Sequence, residues 1–128
     1  MKTSTLLLCL LLTLPLIGCR GTTRADRMPV SANTIANVMT DANRELRATR
    51  RKHTALELPA DDAAELERMA NEIGLDLQKA HAMLQEARRS VDVEKLELSG
   101  NMTLRAFDRI QELQDAGILA QHAALSER

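Results

Sequence analysis

Residues 63–91 read AAELERMANEIGLDLQKAHAMLQEARRSV, and this stretch decides the fold. Apolar residues recur in it at alternating spacings of three and four, the heptad pattern of a helix that packs along one face. The nine seam positions are Ala63, Leu66, Ala70, Ile73, Leu77, Ala80, Leu84, Ala87 and Val91. Because four of the nine are alanine, we expect a partner helix to approach closely. Gly74 lies off the seam and marks a local bend at most.

The composition of the chain also favours helices. Its 128 residues are 45% hydrophobic, but they include one Phe and no Tyr or Trp. A core built from aliphatic side chains and Met suits close helix packing, whereas large sheets depend on aromatic and β-branched residues. Nucleic-acid binding by stacking of bases on aromatic rings is excluded because Phe107 is alone.

Two further helices are predicted on either side of this seam. After Ser31, a predicted N-cap, the first helix carries a face formed by Ala32, Ile35, Val38, Ala42, Leu46 and Thr49. It ends before Pro59, and Pro59 followed by Asp61 and Asp62 predicts that the second helix begins there with an acidic cap.

The segment that follows the seam is ambiguous. Residues 91–103, VDVEKLELSGNMT, fit either a continued helix or a short strand, and residues 99–101 read as a break. Thr103 then caps a third helix, which ends at a left-handed Gly117 and is followed by a short helical tail. The predicted inner face of this helix consists of Leu104, Phe107, Ile110 and Leu113.

We therefore predict an all-α fold, in which two long helices form an antiparallel hairpin and a third helix covers their apolar seam as a small bundle. The alternative is a coiled coil formed by oligomerisation, because the same seam suits self-association.

The first eighteen residues are unlike the rest of the chain. Lys2 precedes a leucine-rich run that ends near Pro15, the layout of a secretory signal. The uncharged stretch is shorter than the ~20 residues that a membrane-spanning helix needs. Residues 16–19, LIGC, have an aliphatic residue, a small residue and then Cys19, so this region resembles the lipobox of bacterial lipoprotein precursors.

That resemblance implies a covalent anchor. In the family, the signal is cut before the cysteine, whose sulfur carries a diacylglycerol and whose amine is usually acylated. Residues 1–18 would then be the signal peptide, Cys19 and the rest of 19–30 a lipidated tether, and 31–128 the helical domain. Cys9 would leave with the signal, so the mature chain would keep no free thiol. Arg20 after the cysteine favours the periplasmic face of the outer membrane, if the host is Gram-negative.

Charge is segregated along the chain. Residues 20–54 hold eight basic and three acidic residues, a net charge of +5, whereas residues 55–128 hold eight and fifteen, a net charge of −7. Arg44, Arg47 and Arg51 share one helical face. They form either a patch for anionic lipid or an acidic partner, or a basic helix end that faces the acidic start of the second helix.

No pattern typical of catalysis is present. His53, His81 and His122 are scattered, and no nucleophile, phosphate-loop or zinc motif accompanies them. His81 and Met83 fall on different helical faces, and Met69 lies two heptads from Met83, so no metal site is predicted and Met serves as core filler. No cofactor or small-molecule substrate is expected.

These observations predict a membrane-anchored, non-enzymatic cell-envelope lipoprotein that acts through helix-mediated protein contacts in a structural or assembly role. Docking is expected on the Ala-rich seam or on the face that carries Arg44. Two alternatives stay open: an envelope lipoprotein that binds a ligand, a metal or anionic lipid, and a phage-type lysis or exclusion lipoprotein.

Overall fold

The protein folds into three long helices. The computed structural model describes residues 28–128, with side chains from residue 31 onwards. Helix α1 spans Met28–Thr54, α2 spans Ala60–Ser90 and α3 spans Val93–Ser126, and residues 28–128 contain no strand. Cross-helix contacts such as Arg88 with Asn33 and Ser99 with Ala80 show that each helix runs antiparallel to the next. The predicted all-α bundle is confirmed. The predicted signal, lipobox and most of the tether lie outside the described residues.

The seam of α2 is the centre of the bundle. Seven of its nine predicted positions are at most 4% exposed: Leu66, Ala70, Ile73, Leu77, Ala80, Leu84 and Ala87. The end positions Ala63 and Val91 are exposed. Helices α3 and α1 of the same chain cover this seam, and the contact between α2 and α3 is the most extensive of the three helix pairs. Neither self-association nor a partner can therefore use the seam unless the bundle opens.

Helix α1 lies in the groove between α2 and α3. It begins at Met28, so the prediction that Ser31 is its N-cap is wrong, and Ser31 is an exposed residue inside the helix. Of its predicted inner face, four residues are buried and Ile35 and Val38 are partly buried. The four buried positions are Ala32, Ala42, Leu46 and Thr49. Met39, which the prediction omitted, is also buried at 3% exposure.

The start of α2 is close to the predicted position. Pro59 itself is the N-cap residue and makes no side-chain capping bond, so the predicted acidic cap is wrong. Asp61 and Asp62 instead lie in the first turn. There their carboxylates favour the positive end of the helix dipole.

The chain reverses between α2 and α3 within two residues. Val91 is in the left-handed region at φ 52° and ψ 43°, and the Asp92 N–H donates to the Ala87 carbonyl over 3.1 Å. Asp92 then caps α3, since its Oδ1 accepts from the Lys95 N–H over 3.1 Å. The break in the ambiguous segment 91–103 thus falls at its start, and the remainder of the segment is helical.

Helix α3 continues through the predicted break at residues 99–101, so neither that break nor a cap at Thr103 is correct. The reason is packing between helices. The Ser99 hydroxyl donates to the Ala80 carbonyl of α2 over 2.8 Å. A β-carbon on Gly100 would lie 3.3 Å from Ile35 Cδ1 of α1. Small residues at this point let three helices meet, and their burial outweighs a weak local preference for a turn.

The inner face of α3 is rotated from the predicted one. Ile110 and Leu113 are buried as predicted, but Phe107 is only partly buried and Leu104 is 58% exposed. The buried residues follow a heptad pattern of their own: Leu96, Ser99, Thr103, Ala106, Ile110, Leu113 and Gly117. The predicted left-handed C-cap at Gly117 is also wrong, because Gly117 is a helical residue and α3 ends at Ser126.

The strained turn at Val91 yields a test of the fold. A β-branched residue rarely adopts positive φ, and the left-handed conformation costs roughly 1–2 kcal/mol for residues with a β-carbon. We expect Val91→Gly to raise the free energy of unfolding by about 0.5–1 kcal/mol, since part of the relief is offset by greater freedom of the unfolded chain. Urea unfolding followed by circular dichroism measures the change.

The matched control is Val91→Ala, which removes the branched side chain but keeps the β-carbon. Because Val91 is 61% exposed, little packing is lost in either variant. If the alanine variant is as stable as the glycine variant, the left-handed turn is not the source of the gain.

Candidate functional site

The three arginines predicted as an anionic contact lie together on the outer side of α1. Arg44, Arg47 and Arg51 are exposed and lie opposite the face that packs on α2 and α3. Arg44 pairs with Asp41 one turn earlier, and both side chains are more than half exposed. Arg47 and Arg51 make no ion pair within residues 28–128. We call these three residues the arginine face.

The alternative interpretation is a basic helix end that faces the acidic start of the second helix. Arg51 does lie in the last turn of α1, but in the described part of the chain none of the three arginines forms an ion pair with α2. Arg50 contacts α2 instead. Its Nη2 donates to Asn71 Oδ1 over 2.7 Å, and its Nη1 lies 3.8 Å from Glu67 Oε1. Arg50 follows the buried Thr49, so it sits at the border of the inner face and reaches α2. Sequence analysis did not single out Arg50, because the neighbouring residues are also arginines and differ from it only in the side of α1 from which they project.

Charge differs among the three helices. Helix α1 holds five basic and two acidic residues, a net charge of +3, whereas α2 has a net charge of −3 and α3 of −2. The basic side chains between α2 and α3 are paired with acids. Arg109 bonds Asp76 over 2.5 Å and Glu72 over 2.9 Å. The arginine face therefore forms a basic ridge beside an otherwise acidic hairpin.

Ion pairs on the α2–α3 hairpin shift the pKa values of the residues that form them. Arg68 donates to Glu65 and so lowers the pKa of that carboxyl, while the same hydrogen bond raises the pKa of Arg68. A hydrogen bond to Glu86 raises the pKa of Lys95. Glu65 and Arg68 are exposed and Lys95 is partly buried, and each shift favours the charged form of its group.

A cleft of about 440 Å³ lies between the last turns of α1 and the C-terminal half of α3. His53 and Leu56 line one side, and Gln114, Gly117 and Ile118 line the other. The His53 ring occupies the space that a side chain at position 117 would fill, since a β-carbon there would lie 2.2 Å from Nε2. Desolvation by burial lowers the pKa of His53 below 6.5, so the neutral ring is the favoured form.

A second cleft, of about 430 Å³, lies at the other end of the same groove. Ile35 and Val38 of α1 and Gly100 and Leu104 of α3 line it. Near the middle of the groove, Gln114 Nε2 donates to Glu45 Oε1 over 3.0 Å and to the buried Thr49 hydroxyl over 3.1 Å. Thr49 and Gln114 also line the first cleft, so these polar bonds lie at its wall.

The last turns of α3 expose large apolar side chains. Ile118, Leu119 and Leu125 are 54%, 70% and 58% exposed. Ile118 and Leu125 are one heptad apart and so share a helical face, next to the cleft that holds His53. We call these three residues the end patch. Its apolar residues are evident in the sequence, but their exposure depends on how far α3 extends.

The remaining candidates do not assemble into a site. His81 and His122 are exposed and lie on different helices, and Met69 and Met83 are partly buried. Within residues 28–128 no three His, Cys, Asp or Glu side chains lie close enough together to hold a metal ion. Cys19 lies outside the described residues.

Comparison with known proteins identifies no similar protein. No family model, no curated protein and no solved structure matches the chain. Among the helices of residues 28–128, none has the length and apolar content needed to cross a membrane.

The contact between His53 and Gly117 can be tested with paired glycine substitutions. We expect Gly117→Ala to lower the free energy of unfolding by ~1–3 kcal/mol, because the new methyl group displaces the His53 ring. Gly74→Ala is the matched control within α2, where the nearest atom to the new β-carbon is Arg50 Nη2 at 3.8 Å. That variant should gain about 0.5–1 kcal/mol from helix propensity alone.

The double variant separates packing from propensity. In a His53→Ala background the space at position 117 is free, and Gly117→Ala should become stabilising. Thermal and urea unfolding of the four proteins gives the coupling between the two positions. Equal gains from Gly117→Ala and Gly74→Ala in the otherwise unchanged protein would contradict the contact.

Proposed function

We propose that this protein is a non-enzymatic lipoprotein of the bacterial cell envelope, anchored through Cys19, that acts through helix-mediated protein contacts in a structural or assembly role. The observation that carries the proposal is the ordered N-terminal sequence. A basic residue, a leucine-rich run, a small residue and a cysteine follow one another within the first nineteen residues. This order resembles the signal and lipobox of lipoprotein precursors.

The anchor accounts for the composition of the N-terminus. Cleavage before Cys19 removes the leucine-rich run, which would otherwise be an exposed apolar segment. A thioether-linked diacylglycerol and an acylated amine supply two or three chains, and stable membrane attachment requires at least two such signals. Arg20 in the following position supports the periplasmic face of the outer membrane in a Gram-negative host.

A protein partner would bind on the outside of the bundle. The Ala-rich seam is buried within the chain, so we assign docking to the end patch instead. Exposed apolar side chains that lie together are typical of protein interaction sites. Ile118 and Leu125 offer a partner helix one apolar face, and Leu119 widens it. Gene neighbourhood would separate this role from that of a phage-type lysis or exclusion lipoprotein.

The anchor is tested by metabolic labelling with palmitate in a bacterial host. We expect the wild-type chain to incorporate label and Cys19→Ser to incorporate none, because the thioether forms on that sulfur. Cys9→Ser is the matched control and should label like the wild type, since Cys9 leaves with the signal. Label that persists in Cys19→Ser would refute the proposed anchor.

The contact surface is tested by photocrosslinking in living cells. A photoreactive amino acid at position 119 is expected to give a discrete crosslinked product, because Leu119 is 70% exposed within the end patch. The same amino acid at position 78 of α2, also exposed, is the control and should give none. If both positions give the same products, or neither gives any, the end patch is not the docking surface.

A further inference from the structure

The outer side of α1 forms a basic surface next to the predicted anchor. We propose that α1 lies along an anionic bilayer, with the arginine face at the lipid phosphates and the acidic α2–α3 hairpin turned away. This inference rests on the proposed lipid anchor and adds an orientation to it: the bundle lies flat on the membrane that holds it.

The geometry of the arginine face suits a flat anionic surface. Arg44, Arg47 and Arg51 are spaced by three and four residues, so they lie on one side of α1 over about 10 Å of helix. Guanidinium groups bind phosphate through two parallel hydrogen bonds. The competing pair between Arg44 and Asp41 is exposed and can be exchanged for a lipid phosphate.

The length of the tether keeps the bilayer close to α1. Eight residues lie between Cys19 and Met28, where α1 begins, and the nine steps that join the two Cα atoms span at most ~32 Å when extended. Three of the residues after Cys19 are arginines, and one is an aspartate. The anchor tethers the protein to the bilayer, so α1 meets the lipid at a high effective concentration. A weak electrostatic attraction is therefore enough to orient the bundle.

The charge of the other two helices disfavours the opposite orientation. Helices α2 and α3 are net negative, and an anionic surface repels them. Their cross-helix basic residue Arg109 already binds Glu72 and Asp76. An acidic protein would also suit the arginine face, but the covalent anchor places a bilayer beside α1, and no comparable feature places a protein there.

The experiment uses the lipidated protein in nanodiscs. Since Cys19 is blocked by its thioether and Cys9 is removed with the signal, a single new cysteine carries a fluorophore. Thr40→Cys reports on the outer side of α1, and Gln78→Cys reports on the outer side of α2; both positions are exposed. Quenching by brominated lipid is compared in phosphatidylglycerol-containing discs and in discs of phosphatidylcholine alone.

We expect strong quenching at position 40 and weak quenching at position 78 in the anionic discs, and loss of this difference in the neutral discs. Salt at 1 M, where the Debye length is about 3 Å, should also remove it. Replacing Arg44, Arg47 and Arg51 with Gln should abolish the difference while the protein stays attached to the disc. Circular dichroism checks that the triple variant is folded.

The matched control replaces Lys79, Arg89 and Arg105 with Gln. These exposed residues of α2 and α3 change the net charge by the same amount and should leave the quenching difference intact. Equal quenching at both labels in the anionic discs would overturn the proposed orientation. So would a triple Arg variant that alters the sedimentation of the protein but not its quenching, since the arginine face would then contact protein.

The two proposals fail separately. If palmitate labels Cys19 and the protein stays with the discs, the anchor stands whatever the orientation. If no label is incorporated, the anchor fails before the orientation is measured.

Discussion

The burial of the α2 seam is the interaction on which the rest of the structure depends. Ile73, Leu77 and Leu84 are almost fully enclosed, and the seam alanines at positions 70, 80 and 87 are at most 1% exposed. A chain with a single phenylalanine cannot fill wide gaps between helices with aromatic rings. Its core therefore closes by bringing backbones together, and this requires small residues wherever helices meet.

That requirement explains the residues that look out of place in α3. Ser99, Gly100 and Gly117 have low helix propensity, yet each lies inside a helix of 34 residues. Ser99 bonds the α2 backbone, Gly100 contacts Ile35, and Gly117 makes room for the His53 ring. The local cost of these residues is offset by contacts with two other helices, which are distant in sequence.

Close packing also determines what is left for function. Because the seam is buried inside the bundle, it offers no docking surface, whereas the arginine face of α1 and the end patch of α3 are both exposed. They differ in chemistry, one basic and one apolar, and lie on different helices. The two proposals use them separately: the arginine face for the lipid surface beside the anchor, and the end patch for a protein partner.

The sequence by itself determined the all-α class, the seam of α2, the exposure of Arg44, Arg47 and Arg51, and the lipobox resemblance, because each rests on local spacing along the chain. Only the tertiary structure decided where α3 begins, which of its faces is buried, and that Arg50 is the arginine that reaches α2. From the sequence alone, glycine and serine are interpreted as turn residues, because the residues that they contact in the folded chain are not known. When three helices pack at close range, the same residues become points of contact, and this depends on partners from 19 to 65 residues away along the chain.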